Sequence, residues 1–156
     1  MPSSSVRSFT DPDDYATAIR GRQAAVTVVG RGQFTAKLVQ IDLHRLWMQR
    51  LFDNLPRVVR SANIAGRAIV SFRTAPGLHL RAGGLEIPPN GVLRHSDPDD
   101  YYQTSSGCAS FAAMSLPVED MVERTAAPVA QPIGVAASPE IACEAIVCIA
   151  AGWSRR

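Results

Sequence analysis

Three histidines, three cysteines and a short run of hydroxyls are the residues whose chemistry has to be weighed first. His44, His79 and His95 could ligate a metal or carry a proton. A metal site needs donors converging from fixed offsets, such as His-x-His on a strand or His at i, i+4 on a helix. No two of these histidines share such a spacing. His44, beside Arg45, reads as a surface or hydrogen-bonded side chain, and His95 as a loop histidine paired with Asp97 or Asp99. Cys108, Cys143 and Cys148 form an odd set with no Cys-x-x-Cys, which argues against a disulfide framework or a structural zinc. Ser105, Ser106 and Cys108 cluster around Gly107, but without the Gly-x-Ser-x-Gly elbow that strains a nucleophile onto a strand-to-helix turn. Cys108 therefore reads as a small packed side chain. Gly30-Arg-Gly32 and Gly83-Gly84 lack the strand–loop–helix context of a phosphate cradle and read as hairpin turns. Asp13/Asp14 and Asp99/Asp100 sit at helix and loop ends, where solvation accounts for them. This inventory yields no catalytic residue, no metal and no cofactor.

The elements that would position any site are mostly strands. A helix is expected over residues 12–20, with Thr10 or Asp11 as cap, Pro12 in the first turn, acids at the positive end of the dipole and Gly21 as stop. From Gln23 the pattern turns β-branched. Strands are expected over 25–29, 34–43, 46–52, 57–60 and 67–73, then 78–80, 85–87, 92–93, 101–104 and 109–115. In the 34–43 run, Val39, Ile41 and Leu43 share one parity. Gly30-Arg-Gly32, Asp53-Asn-Leu-Pro56, Ala75-Pro-Gly77 and Pro88-Pro-Asn-Gly91 supply the turns. Short strands at this spacing predict an antiparallel sandwich or barrel. A helix is expected to follow Ser115 as cap, with Pro117 in its first turn and Val118, Met121 and Val122 as its stripe. Residues 126–135 read as an Ala/Pro-rich linker, and 138–152 as an apolar helix too short to span a bilayer.

Length and composition fit this reading. The 156 residues imply one domain, because single cores span about 100 to 200 residues. With 46% hydrophobic and 19% charged residues, disorder, collagen and coiled coil are excluded. The net charge of +2, with arginines scattered and Lys37 the only lysine, implies no nucleic-acid surface. No apolar h-region and no long apolar run are present, so the expectation is a soluble, cytoplasmic protein.

One segment resembles a known signature. Gly83-Gly-Leu-Glu-Ile-Pro-Pro89-Asn-Gly91-Val-Leu-Arg-His95 resembles the second cupin motif, with its histidine displaced by one position. The first cupin motif, with its His-x-His and Glu ligands, is absent. The wider chain is similar to the N-terminal effector domains of AraC-type transcription regulators, which are cupin-like barrels without metal ligands. That similarity runs through Arg7–Tyr15, Gly32–Leu43, Leu55–Val58 and Met114–Met121. It implies a β-dominated (α+β) fold, a cupin-like antiparallel β-barrel or jelly roll with a short N-terminal and a C-terminal helix. The resemblance covers about residues 7–124, and the domain division expected is a disordered 1–8, a cupin-like sensor and dimerisation domain over 9–125, and an Ala/Pro-rich tail with a short apolar helix over 126–156.

The function implied is binding of a small-molecule effector inside the barrel and coupling of occupancy to an attached element. Homodimers, or heterodimers with a full-length relative, would be the protein partners. The family's two helix-turn-helix motifs do not appear in the sequence, so no direct DNA binding is expected of a truncated or stand-alone sensor. The inward-facing polar and aromatic candidates for the effector are Arg45, Trp47, Gln49, Phe72 and Tyr102, with Trp47 for stacking and Arg45 for a carboxylate. The alternative is a small metal-free cupin-type isomerase, in which His44 or His95 would serve as general acid or base.

Overall fold

In the computed structural model, residues 2–75, 79–89, 91–95, 100–122 and 133–136 are described. The first strand, β1 (Ser3–Phe9), lies where disorder was expected. Its side chains from Ser3 to Ser8 are exposed and only Phe9 is half-buried, but its backbone pairs along its whole length with β3 (Ala36–Leu43), from Ser3↔Asp42 to Phe9↔Ala36. Ladder hydrogen bonds on an open sheet edge hold a polar segment that has no core of its own to bury. Helix α1 (Pro12–Ala18) starts as its sequence dictates: Asp11 is the cap, accepting from the Asp13 and Asp14 amides at 2.8 and 3.0 Å. It ends after Ala18, and Gly21, at φ +80°, turns the chain straight into β2 (Arg22–Val28). A side chain there would be strained by that φ, and its Cβ would meet Ser115 Oγ at 3.3 Å.

The remaining strands are β4 (Leu46–Asp53), β5 (Arg57–Asn63), β6 (Arg67–Arg73), β7 (Leu80–Ala82), β8 (Leu85–Glu86), β9 (Val92–His95), β10 (Tyr101–Ser105), β11 (Ala109–Pro117) and β12 (Ile133–Ala136). They form a seven-stranded sheet, β1-β3-β4-β11-β6-β9-β12, and a five-stranded sheet, β2-β5-β10-β7-β8, with every pair antiparallel. Strands far apart in sequence lie side by side, as β4 with β11 and β5 with β10, in the manner of a jelly roll. The expected β-dominated antiparallel architecture is the one observed.

Two local expectations are corrected. Ser115 caps no helix: β11 continues to Pro117, and Ser115 is a buried strand residue whose Oγ accepts from Arg67 Nε. The helix α2 (Val118–Val122) starts only after it. Part of the expected linker is strand, because Ile133-Gly-Val-Ala136 contains no proline and so can pair with β9. In β3 the interior takes Ala36, Leu38 and Gln40, leaving Val39 half-buried and Ile41 exposed. The expected turn residues Pro76, Gly77 and Asn90, Leu78 of the expected 78–80 strand, the acids Asp97 and Asp99, Cys143, Cys148, residues 126–132 of the expected linker and the expected 138–152 helix lie outside the described residues.

The sandwich interior is apolar at one level and polar at another. Leu38, Leu51, Ile69, Phe111 and Ala113 pack with Val26 and Val59, α1 adds Tyr15 and Ala16, and Ile19 follows just past its end. Tyr15 sits between Phe9 and Phe34, with ring centroids 5.6 and 6.0 Å away. Beside this core, inward strand positions carry Arg22, Arg57, Ser61, Asn63, Asp53, Ser71, His95, Gln103 and Ser105, all buried. Among the described residues no helix is long and apolar enough to cross a membrane.

Candidate functional site

The inner faces of both sheets and α1 enclose a small cavity. Its walls include Arg22 of β2, Arg57 of β5 and Gln103 of β10 from one sheet, Asp53 of β4 and Phe111 of β11 from the other, and Tyr15 of α1. About 10 Å³ of it is open to the centre of a water molecule, which is room for about one water.

Each polar group reaches this space for a local reason. Asp53 is the last residue of β4, on the same parity as the buried Gln49 and Leu51. Asn54-Leu-Pro56 turns the chain, and Arg57 enters β5 facing inward, so the two charges meet across the turn: Arg57 Nε donates to Asp53 Oδ2 at 2.7 Å. Both side chains are at most 1% exposed. Phe111 lies under the Arg57 guanidinium at 5.5 Å, and Arg57 Nη1 donates to Ser105 Oγ at 3.4 Å. The other carboxylate oxygen, Asp53 Oδ1, has no partner. Burial pushes the Asp53 carboxyl above the usual range, and Arg57 only partly offsets this. The Tyr15 hydroxyl is likewise unpartnered; burial first, and then Asp53, hold its pKa above that of an exposed phenol.

Arg22 forms the second half of the site. As the first residue of β2 it pairs with Asn63 of β5 and is 7% exposed. Its Nη1 donates to Tyr101 Oη at 2.8 Å, while Nε and Nη2 have no partner. Tyr101 stacks on His95 at 4.5 Å between centroids. His95 Nε2 lies 3.2 Å from Ser71 Oγ, and Nδ1 is unpartnered. Burial, aided by the Arg22 charge, pushes the His95 pKa down to about 3, so the imidazole is neutral at ordinary pH. Native interiors leave few buried polar atoms unsatisfied. Here Tyr15 Oη, Arg22 Nε and Nη2, and Asp53 Oδ1 are unsatisfied on residues lining a single cavity.

The sequence-nominated residues lie elsewhere. Tyr102 is 57% exposed, because β10 turns Tyr101, Gln103 and Ser105 inward and Tyr102 out. Phe72 has the parity opposite to the core residue Ile69 and is half-buried. Arg45 is exposed just before β4 and pairs with Asp120 at 2.8 Å and Glu119 at 3.2 Å. These three are corrected as interior ligands: strand parity, or the turn preceding β4, directs them away. Trp47 is half-buried and carries the Arg67 guanidinium on its ring at 3.6 Å. Gln49 is buried, but its amide is spent: Nε2 donates to Arg20 O, and Oε1 accepts from Arg20 N and Gln40 Nε2. Gln49 thus fastens the Arg20 segment that follows α1 to β4, Trp47 packs against Arg67 of β6, and neither lines the cavity. Of the two acid–base candidates, His44 is exposed with φ 63° and His95 is the buried neutral ring described above. Among the described residues no group of acids, histidines and cysteines could hold a metal.

Arg22, Asp53, Arg57, Tyr15 and Gln103 were not singled out by sequence. One feature of the sequence marks two of them in hindsight: an Asp and an Arg flank a Pro-containing turn, four residues apart, and the structure turns both inward.

The sequence matches no family description and no curated protein. Among solved structures, the fold is similar to that of the AraC-like transcriptional activator CuxR, with a TM-score of 0.57 and 12% identity. The similarity covers 78% of this chain and 49% of that protein, so the chain spans about half its length. An RmlC-like cupin from Shewanella frigidimarina aligns over 61% of this chain and 85% of its own, with a TM-score of 0.33 and 11% identity.

Proposed function

We propose that this chain is an effector-sensing domain of an AraC-like transcription regulator, which takes a small polar molecule between its two sheets. The observation that carries the reading is the convergence of unsatisfied Tyr15, Arg22 and Asp53 atoms on one buried cavity. A few convergent polar groups on otherwise apolar walls, here Leu51, Val59 and Phe111, are what a small-molecule pocket needs. The fold shared with an AraC-like activator supports a regulatory use of that pocket.

The space holds about one water, so an effector enters by widening it. That widening is the conformational signal. Tyr15 couples the cavity to α1, and the α1 exit is tied to the opposite sheet through Gln49 and through the Arg20–Asp42 pair at 2.8 Å. An effector bound more tightly by the widened state shifts the population toward it. The reading assigns no catalytic role to His95, whose ring is buried and stacked on Tyr101. It also assigns no DNA reading to these residues, since α1 and α2 are short and carry acids in their first turns. Dimerisation, with itself or with a relative, belongs to the same proposal.

The test is a thermal-shift screen with sugars, polyols, aromatic compounds and organic acids, followed by calorimetry. The proposal expects saturable stabilisation by one chemical class, weakened in Tyr15→Phe and Gln103→Leu and unchanged in Tyr102→Ala. Binding that ignores the first two substitutions, or stabilisation by no class, would overturn it.

A further inference from the structure

We infer that the effector carries a carboxylate, and that this carboxylate seats on the Nε–Nη2 edge of Arg22; the inference rests on the sensing assignment above. A guanidinium can fork onto a carboxylate through two parallel N–H groups, Nε–H and one Nη–H. In Arg22 that edge is the one left over. Nη1 is committed to the Tyr101 hydroxyl at 2.8 Å, while Nε and Nη2 are buried and unpartnered. Tyr101 therefore acts as a positioning residue. It holds one corner of the guanidinium, with His95 stacked behind it, and leaves the forked edge free for a ligand.

Charge points the same way. The cavity is lined by two guanidiniums, Arg22 and Arg57, and by one carboxylate, Asp53. That carboxylate is already bonded to Arg57 at 2.7 Å, and among the described residues no ion pair includes Arg22. The groups placed nearest Arg22 by register and hydrogen bonding, Asn63 and Tyr101, supply no negative charge. A sugar hydroxyl or a water could accept the two N–H bonds but would leave the buried charge uncompensated. A carboxylate satisfies both donors and the charge together.

The experiment uses the full chain in chloride-free buffer at fixed ionic strength. Matched pairs are titrated: formate against formamide, acetate against acetamide, lactate against lactamide and benzoate against benzamide. Thermal unfolding and calorimetry are the readouts. At least one carboxylate is expected to bind at least about tenfold more tightly than its amide, and Arg22→Lys, which keeps the charge but loses the fork, to weaken it about tenfold. Because an Arg22 variant can fold poorly, the wild-type comparison of acid with amide decides by itself. Equal binding of acid and amide, or preference for sugars, overturns the carboxylate assignment and leaves the sensing reading standing. If no carboxylate binds, formate included, the Arg22 edge holds only water and the inference fails. If the neutral compounds fail too, the sensing reading falls with it.

Discussion

Acidification should destabilise this fold, and the buried ring of His95 is one route by which it does so. The ring is 2% exposed, stacked on Tyr101 and close enough to Arg22 to feel its charge, and its pKa is pushed down to about 3 from an ordinary 6.5. A histidine whose folded pKa lies below its unfolded value binds fewer protons when folded. Its contribution is fully present above the unfolded pKa and is lost as pH falls toward the folded value. With these two values, the loss between pH 7 and pH 4.5 comes to about 2.5 kcal/mol. Asp53 works in the opposite sense, because its raised carboxyl takes up a proton earlier in the folded chain and recovers stability in acid. The two are separated by His95→Gln, which removes the titrating ring and leaves Asp53 in place. Urea unfolding of both proteins between pH 7.5 and 4.5 is the assay. The substitution costs a constant amount through lost stacking, but the gap between the two stability curves should shrink by about 2.5 kcal/mol as pH falls from 7 to 4.5. Parallel curves would refute the reasoning and would mean that His95 is solvated or paired with an acid.

Two further outcomes follow from the geometry. Asp53→Asn should cost about 3–5 kcal/mol, since it leaves the Arg57 guanidinium buried without its counter-charge. The double variant Asp53→Leu, Arg57→Met should lose less than either single change, as chemical denaturation of the set would show. Asp11→Ala removes the oxygen that accepts from the Asp13 and Asp14 amides and should lower stability by about 1 kcal/mol, visible as a lower unfolding midpoint.

The parts of the fold that local chemistry dictates were legible in the sequence. The Asp11-Pro12 start of α1 and the β-branched runs needed only capping and propensity, and β6 over Arg67–Arg73 was read to the residue. The site was not legible, because it depends on which way single residues face. Two adjacent tyrosines, Tyr101 and Tyr102, give no periodic cue to which one enters the core; only pairing of β10 with β5 and β7 fixes it. Arg22 was read as lying between a helix stop and a strand beginning near residue 25. The left-handed Gly21 starts β2 three residues earlier and delivers Arg22 to the interior. Asp53 reads as a turn former by its type, yet it closes β4 fully buried. Buried charges run against composition-based expectation, so a polar interior is the feature that sequence reasoning is least equipped to see. The edge strand β1 was hidden for a related reason, since backbone pairing needs no apolar pattern.

The claim that effectors enter between the sheets is tested most directly by heteronuclear NMR. The ligand selected by the thermal screen would be titrated into isotope-labelled protein while the backbone and the arginine Nε–H signals are followed. The account predicts saturable shifts at Tyr15, Arg22, Asp53, Arg57 and Gln103, with the Arg22 Nε–H signal among the largest and Tyr102 and Phe72 little changed. Shifts concentrated on Tyr102, Phe72 or the Arg45–Asp120 surface, with Arg22 and Asp53 unmoved, would contradict it.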